Sequence, residues 1–274
     1  MRYLKMNGAG NDFVIFDARA RGAFALTPDE ARAIADREAG VGCDQIIAME
    51  QSARGDAFMR IWNADGGEVE ACGNAARCVG WLLMQETNKS AASIETVGGL
   101  LQAANAGPQR VAIDMGPPRL RWDEIPVARE TDTVRMDYTA RLPNRDVLSG
   151  PGGVNMGNPH AVFFVADADA IPAAIVGPQI EHDAFFPERV NVGFAQILSP
   201  NSMRLRVWER GAGLTKACGT GACAAVVAAH RAGLTGRKVS VRVDGGELEI
   251  DWREDGHVIM TGPVAMERVG EMAA

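Results

Sequence analysis

The sequence predicts an α+β fold of two pseudo-symmetric domains, each a mixed or antiparallel sheet wrapped around one central helix. Three observations carry this expectation. First, the 274-residue chain repeats itself at a shift of 146: MRIWNADGGEVEACGNAA (59–76) returns as LRVWERGAGLTKACGTGA (205–222). Arg60/Arg206, Trp62/Trp208, Gly67/Gly213, Ala71/Ala217, Cys72/Cys218, Gly73/Gly219 and Ala76/Ala222 are identical across that shift. Second, strand-like runs dominate. Third, the run after each of these cysteines is apolar nearly all round, as in a helix buried on every side.

The repeat reaches further. Gly116-Pro117 recurs as Gly262-Pro263, Val97 and Gly99 as Val243 and Gly245, and Gly10-Asn11 as Gly157-Asn158 at a shift of 147. A period this long marks a duplicated domain, since solenoid repeats run about 20–50 residues. The expected division is 1–117 with Cys72, then 118–263 with Cys218, and a tail at 264–274 that packs back on the first half. Pro and Gly at both junctions suit linkers.

Each expected element has a local reason. Residues 13–17, 58–63, 110–115, 160–165, 203–209, 239–245 and 257–262 are rich in β-branched and aromatic residues, and several alternate apolar with polar. Thr27-Pro28-Asp29-Glu30 reads as a capping box with Pro at the first helical position, opening a helix over 27–39 that Gly40 closes. Residues 73–86 and 219–232 are the two central helices.

Composition excludes several classes of function. The net charge is -7, and Arg119/Arg121 and Arg204/Arg206 are only alternating pairs, so neither nucleic acid nor an anionic membrane is an expected partner. No run approaches about 18 consecutive apolar residues. The N-terminal MRYLKMNGAGNDF lacks the apolar core of a signal peptide. A cytoplasmic, reducing location is the expectation, with Cys43, Cys72, Cys78, Cys218 and Cys223 as thiols. No C-x-x-C is present, and no metal is expected.

Cys72 and Cys218 stand just before helix starts. Unpaired N–H groups and the positive end of the helix dipole favour a thiolate there, and the same groups can hold a carboxylate. Two such starts acting on one α-carbon would place a thiolate and a thiol on its opposite faces, which is what inversion of a stereocentre requires. A cysteine before an apolar helix is ordinarily core, and that reading is kept for Cys43, Cys78 and Cys223.

The stretches KMNGAGNDF (5–13), GVGCDQ (40–45), NADGGEVEACGNAARC (63–78), MGNPHAV (156–162), NVGFAQ (191–196) and WERGAGLTKACGTGACAA (208–225) resemble the diaminopimelate epimerase family over almost the whole chain. The resemblance implies a cofactor-independent enzyme, usually a cytoplasmic homodimer, that interconverts LL- and meso-diaminopimelate for lysine and peptidoglycan precursors. It implies Cys72 and Cys218 as the acid/base pair, Cys72 donating and Cys218 accepting in one direction. It implies Asn11, Gln45, Asn63, Asn158 and Asn191 as substrate-binding amides, and Gly73-Asn74 and Gly219-Thr220 as anion-binding turns. Glu209 and Arg210 match charged substrate contacts, and His160 and Glu209 match residues that modulate the cysteine pKa values. Arg210 suits a carboxylate and Glu209 an ammonium.

The chain departs from the family pattern at Asn7, Glu38, Cys43, Ala75 and Trp208, none of them an acid/base or charged contact. Alternatives on the same scaffold are a proline or hydroxyproline racemase, whose cyclic substrate has no distal charge, and a phenazine-type isomerase, which lacks the cysteine pair. A two-cysteine thiol redox enzyme and a non-enzymatic amino-acid binder are alternatives of other classes.

Overall fold

The computed structural model describes residues 1–22, 24–70 and 72–272. The chain divides into two compact units, Met1–Asp114 with Thr261–Ala274, and Met115–Met260. Both are sheets with few helices. Ala71, one of the repeated positions, and the last two residues of the 264–274 tail lie outside the described residues.

The first unit runs β1 (Arg2–Gly8), β2 (Asn11–Asp17), α1 (Pro28–Ala35), β3 (Gln45–Glu50), β4 (Ala57–Asn63), β5 (Glu68–Val69), α2 (Gly73–Thr87), β6 (Ala91–Thr96), β7 (Gly99–Asn105) and β8 (Arg110–Asp114). The second begins with a small hairpin, β9 (Thr139–Arg141) and β10 (Val147–Ser149). It continues with β11 (Gly152–Asn155), β12 (Pro159–Phe164), α3 (Ala173–Glu181), β13 (Asn191–Ser199), β14 (Ser202–Glu209), β15 (Gly213–Thr215), α4 (Gly219–Arg231), β16 (Lys238–Val243), β17 (Gly246–Trp252) and β18 (Val258–Pro263). A last strand, β19 (Ala265–Glu271), pairs antiparallel with β1, Leu4 opposite Val269.

Taken separately, the two units share one pairing pattern. In the first, β1 is antiparallel to β2, β2 parallel to β3, β3 antiparallel to β4, β4 antiparallel to β5 and parallel to β6, and β6 antiparallel to β7. In the second, β11, β12, β13, β14, β15, β16 and β17 repeat those relations in the same order. The duplication therefore extends into strands whose residues no longer match.

Both central helices are largely buried, although the last turn of α2, 85–87, is exposed. In α2 the run Asn74–Gly80 is sheltered, and in α4 the run Gly221–Ala229. Small residues are required where sheet and helix meet. A Cβ on Gly80 would lie 2.5 Å from that of Ala103, and one on Gly152 would lie 2.8 Å from that of Ala228. Each helix ends in a local hydrogen-bonded turn. Left-handed Asn88 and the Lys89 N–H donating to the Met84 carbonyl close α2. Gly233 at positive φ and the Leu234 N–H donating to the Ala229 carbonyl close α4.

One expectation needs correction, and one helix was not foreseen. The first helix stops at Ala35, not at Gly40. Its capping box forms as expected, but Asp36 leaves helical geometry and its Oδ1 accepts the N–H groups of Glu38 and Ala39 at 2.7 and 2.8 Å. A short acidic side chain that satisfies the backbone locally competes with continued helix. The other difference is α3, a helix the sequence analysis did not identify; Pro172, Gly177 and Pro178 are poor helix formers. It forms because Ala173, Val176 and Ile180 are buried in an aromatic cluster with Phe163, Phe185, Phe186 and Phe194. Gly177 has a packing reason as well: a Cβ there would sit 2.4 Å from Trp208 Cγ.

Candidate active site

The candidate residues occupy corresponding places in the two units. Asn11 opens β2, Gln45 opens β3, Asn63 closes β4, and Cys72 precedes α2. Across the shift, Asn158 precedes β12, Asn191 opens β13, Glu209 closes β14, and Cys218 precedes α4. Gln45 and Asn191, Asn63 and Glu209, Gly73 and Gly219, and Asn74 and Thr220 are thus repeat partners. Gln45 lies opposite Asn63 in the ladder of the first unit and His160 lies beside Asn191 in that of the second, so each pair shares one end of its strands.

In the first unit Cys72 is the N-cap of α2 with extended backbone, φ -147 and ψ 111. Gly73 and Asn74 form the first turn. Ala75 follows inside the helix with right-handed geometry, so its Cβ is accommodated. Asn74 Nδ2 donates to Asn11 Oδ1 at 2.6 Å, and Gln45 Nε2 donates to Asn63 Oδ1 at 2.9 Å. Beside them lies an ionic cluster that sequence reading passed over. Arg37 makes a bidentate pair with Asp12 at 2.9 Å and reaches Asp44 at 2.6 Å, and Lys5 joins Asp12 at 3.1 Å. These cations hold the Asp12 carboxyl well below the usual carboxylate range against the opposing effect of its burial. Asn7 caps the β1–β2 turn by accepting the Gly10 N–H at 3.0 Å.

In the second unit Cys218 is the N-cap of α4, φ -110 and ψ 109, and is buried. Its sulfur accepts the Gly221 N–H at 3.4 Å and lies 3.6 Å from Thr220 Oγ1. The helix start was expected to lower the thiol pKa. Burial, reinforced by the charge of Glu209, instead pushes Cys218 well up, and the bonds from Thr220 and Gly221 oppose this without overcoming it. Glu209 is also pushed up by burial, and both Thr215 Oγ1 and the Cys218 thiol hydrogen-bond to its carboxylate. Thiol and carboxylate thus form a buried pair of proton-holding groups.

His160 is fully buried in β12. Its Nε2 lies 2.9 Å from Asn158 Oδ1, and an amide oxygen only accepts, so Nε2 carries the proton. Burial, followed by the Arg210 charge, pushes the imidazole down to about 3. Asn191 is clamped at both ends, Nδ2 donating to the Pro159 carbonyl at 3.0 Å and Oδ1 accepting the Arg210 N–H at 2.8 Å. Arg210 is exposed and borders a cavity of about 430 Å³ with Arg119, Asp123, Glu124, Asn155 and Glu188. The buried Glu181 at the end of α3 ties down the turn behind Arg210, accepting the Trp208 indole N–H at 2.7 Å and the Gly211 N–H at 3.0 Å. Nothing in the motifs pointed to Glu181, because it lies in α3, which no motif covers.

Cys43 and Cys78 are buried and each is pushed up to about 12 by burial, which suits core thiols. Among the described residues no group of three or more His, Cys, Asp or Glu could hold a metal ion. No described helix is long and apolar enough to cross a membrane.

The two units share one duplicated α+β fold, with a cysteine capping each central helix. By structure the chain is similar to a probable proline racemase of Agrobacterium radiobacter K84, with a TM-score of 0.71 at 16% identity over 99% of this chain and 92% of that one. It is also similar to a phenazine biosynthesis protein of Bacillus anthracis, with a TM-score of 0.67 at 15% identity over 100% and 99%. At such identities the likeness establishes the fold alone.

The model of the family described as diaminopimelate epimerase matches residues 3–121 and 153–267. The diaminopimelate epimerase of Phenylobacterium zucineum is 58% identical over 270 residues, 98% of this chain and 97% of the other. The chain belongs to the diaminopimelate epimerase family, and it is an enzyme of the isomerase class.

Proposed function

We propose that this protein interconverts LL-2,6-diaminopimelate and meso-diaminopimelate by two-base proton transfer at Cα, without a cofactor. The observation that carries the reading is the pair of cysteines capping α2 and α4 at matched positions of the repeat, in a chain 58% identical to a diaminopimelate epimerase. One sulfur, as thiolate, takes the α-proton. The resulting carbanion takes a proton from the other sulfur, as thiol, on the opposite face. The roles exchange when the reaction runs backward.

Glu209 supplies the means of preparing Cys218. When their shared proton sits on Glu209, the thiolate keeps the Gly221 N–H and the Thr220 hydroxyl as donors. His160, held neutral, adds no positive charge of its own. The N–H groups of Gly73-Asn74 and Gly219-Thr220 receive the reacting carboxylate. Arg210 takes the distal carboxylate, Glu209 contacts substrate beside it, and Asn11, Gln45, Asn63, Asn158 and Asn191 complete the hydrogen bonding. The proposed domains are 1–117, with the returning tail at 264–274, and 118–263. The enzyme is proposed to act in the cytoplasm as a homodimer in lysine and peptidoglycan-precursor synthesis.

The test is incubation of the reduced protein with LL-diaminopimelate in D2O, followed by NMR for α-deuterium and meso product, in wild type, Cys72→Ser and Cys218→Ser. Exchange with inversion that is strongly reduced in each variant is expected. Absence of exchange in reduced wild type, with turnover of L-proline or trans-4-hydroxyproline instead, would replace this reading with the imino-acid one.

A further inference from the structure

Four side chains of the first unit form a hydrogen-bonded line with an unusual property: its ends permit only one direction. Asn11 Nδ2 donates to Asp44 Oδ2 at 3.3 Å, Asn74 Nδ2 donates to Asn11 Oδ1 at 2.6 Å, and Arg77 Nη1 donates to Asn74 Oδ1 at 2.8 Å. An ionised carboxylate only accepts and a guanidinium only donates. A primary amide does both, and turning it over exchanges the two. With an acceptor fixed at one end and a donor at the other, neither amide can turn over without setting N–H against N–H or oxygen against oxygen.

Both ends are themselves anchored. Asp44 Oδ1 accepts Arg37 Nη2 at 2.6 Å, and its Oδ2 also accepts the Asp12 N–H at 3.1 Å. Arg77 is fully buried in α2, one turn beyond Cys72. Asn74 is buried as well, whereas Asn11 remains partly exposed at the start of β2. The line thus connects a surface ionic cluster to the first turn of the helix that Cys72 caps.

We propose that Asp44 and Arg77 are positioning residues that fix Asn11 as a hydrogen-bond donor toward a carboxylate oxygen of the substrate. Asn11 Oδ1 accepts from Asn74 and one Nδ2 N–H goes to Asp44, so the amide's orientation is fixed and its second N–H is the donor it presents. This rests on the reading of Asn11 as a substrate contact and adds to it which atom does the work and what holds that atom in place.

The experiment is a double-mutant cycle on the purified full-length enzyme, using Asn11→Ala, Asp44→Asn and the double variant, with kcat and KM for LL-diaminopimelate and a thermal melt for each. The Asp44 side chain is 32% exposed, so substitution there is expected to leave the protein folded. Should Asp44→Asn not fold, Asp44→Ser removes the carboxylate without adding an opposed donor and completes the same cycle. Asp44→Asn is expected to raise KM about tenfold and to change kcat less than about threefold, because one orientation or the other of the new amide opposes a donor. In the Asn11→Ala background that loss is expected to vanish, the signature of two residues acting as one.

A loss undiminished in the Asn11→Ala background would overturn the proposal, since Asp44 would then act only through Arg37 and the backbone. Wild-type activity of Asn11→Ala would remove the reading of Asn11 as a contact, and the proposal with it.

Discussion

The neutrality of His160 makes a quantitative prediction about acid. The imidazole is buried in β12 with its charged form pushed down to about 3 from an ordinary 6.5. Its Nδ1 has no hydrogen-bond partner among the described residues, so a proton added there would be buried and unpaired. Between those two values the unfolded chain binds a proton that the folded chain refuses. Stability from this group is therefore complete above about pH 6.5 and is lost as pH falls toward 3. At about pH 5 the unfolded imidazole lies some 1.5 units into its protonated range, which corresponds to roughly 2 kcal/mol.

Glu209 has the opposite sign, since a raised carboxyl gains stability as pH falls. The comparison must therefore be with a variant that keeps Glu209. His160→Gln removes the titration and retains an amide donor for Asn158. Urea unfolding between about pH 7.5 and pH 5 is expected to cost wild type roughly 2 kcal/mol more than the variant. Carbon–proton NMR of the imidazole gives the direct reading and should show the neutral ring throughout that range. A His160 titration midpoint above about 5, or equal acid losses in the two proteins, would refute the argument.

Three further outcomes are expected. Glu209→Gln removes the carboxylate that both shares the Cys218 proton and repels its thiolate. Alkylation of Cys218 against pH should show a lowered thiol pKa, while kcat falls on the order of a hundredfold. Gly177→Ala places a Cβ 2.4 Å from Trp208 Cγ, so overpacking should cost about 1–3 kcal/mol, read as a lower thermal midpoint. Thr27→Ala removes the capping hydroxyl, whose Oγ1 accepts the Glu30 N–H at 3.3 Å. A loss of about 1 kcal/mol in chemical unfolding, with kcat unchanged, is expected there.

The sequence by itself determined the duplication, the two central helices and the cysteine that stands before each, while the amide and charged candidates came from the family resemblance. It could do so because an apolar stretch, a Gly after a Cys and a repeated motif are local signals that survive in one dimension. Only the tertiary structure decided that α1 ends at Asp36, because local Asx bonding and helix continuation compete on nearly equal terms. Only packing against four phenylalanines makes a helix of a segment holding Gly177 and Pro178. Cys218 is the sharpest case. Its position before a helix argued for a lowered thiol pKa, and burial beside Glu209 reverses the sign, because desolvation depends on neighbours distant in sequence. The line from Asp44 through Asn11 and Asn74 to Arg77 was equally hidden, since its direction exists only once residues 63 positions apart meet.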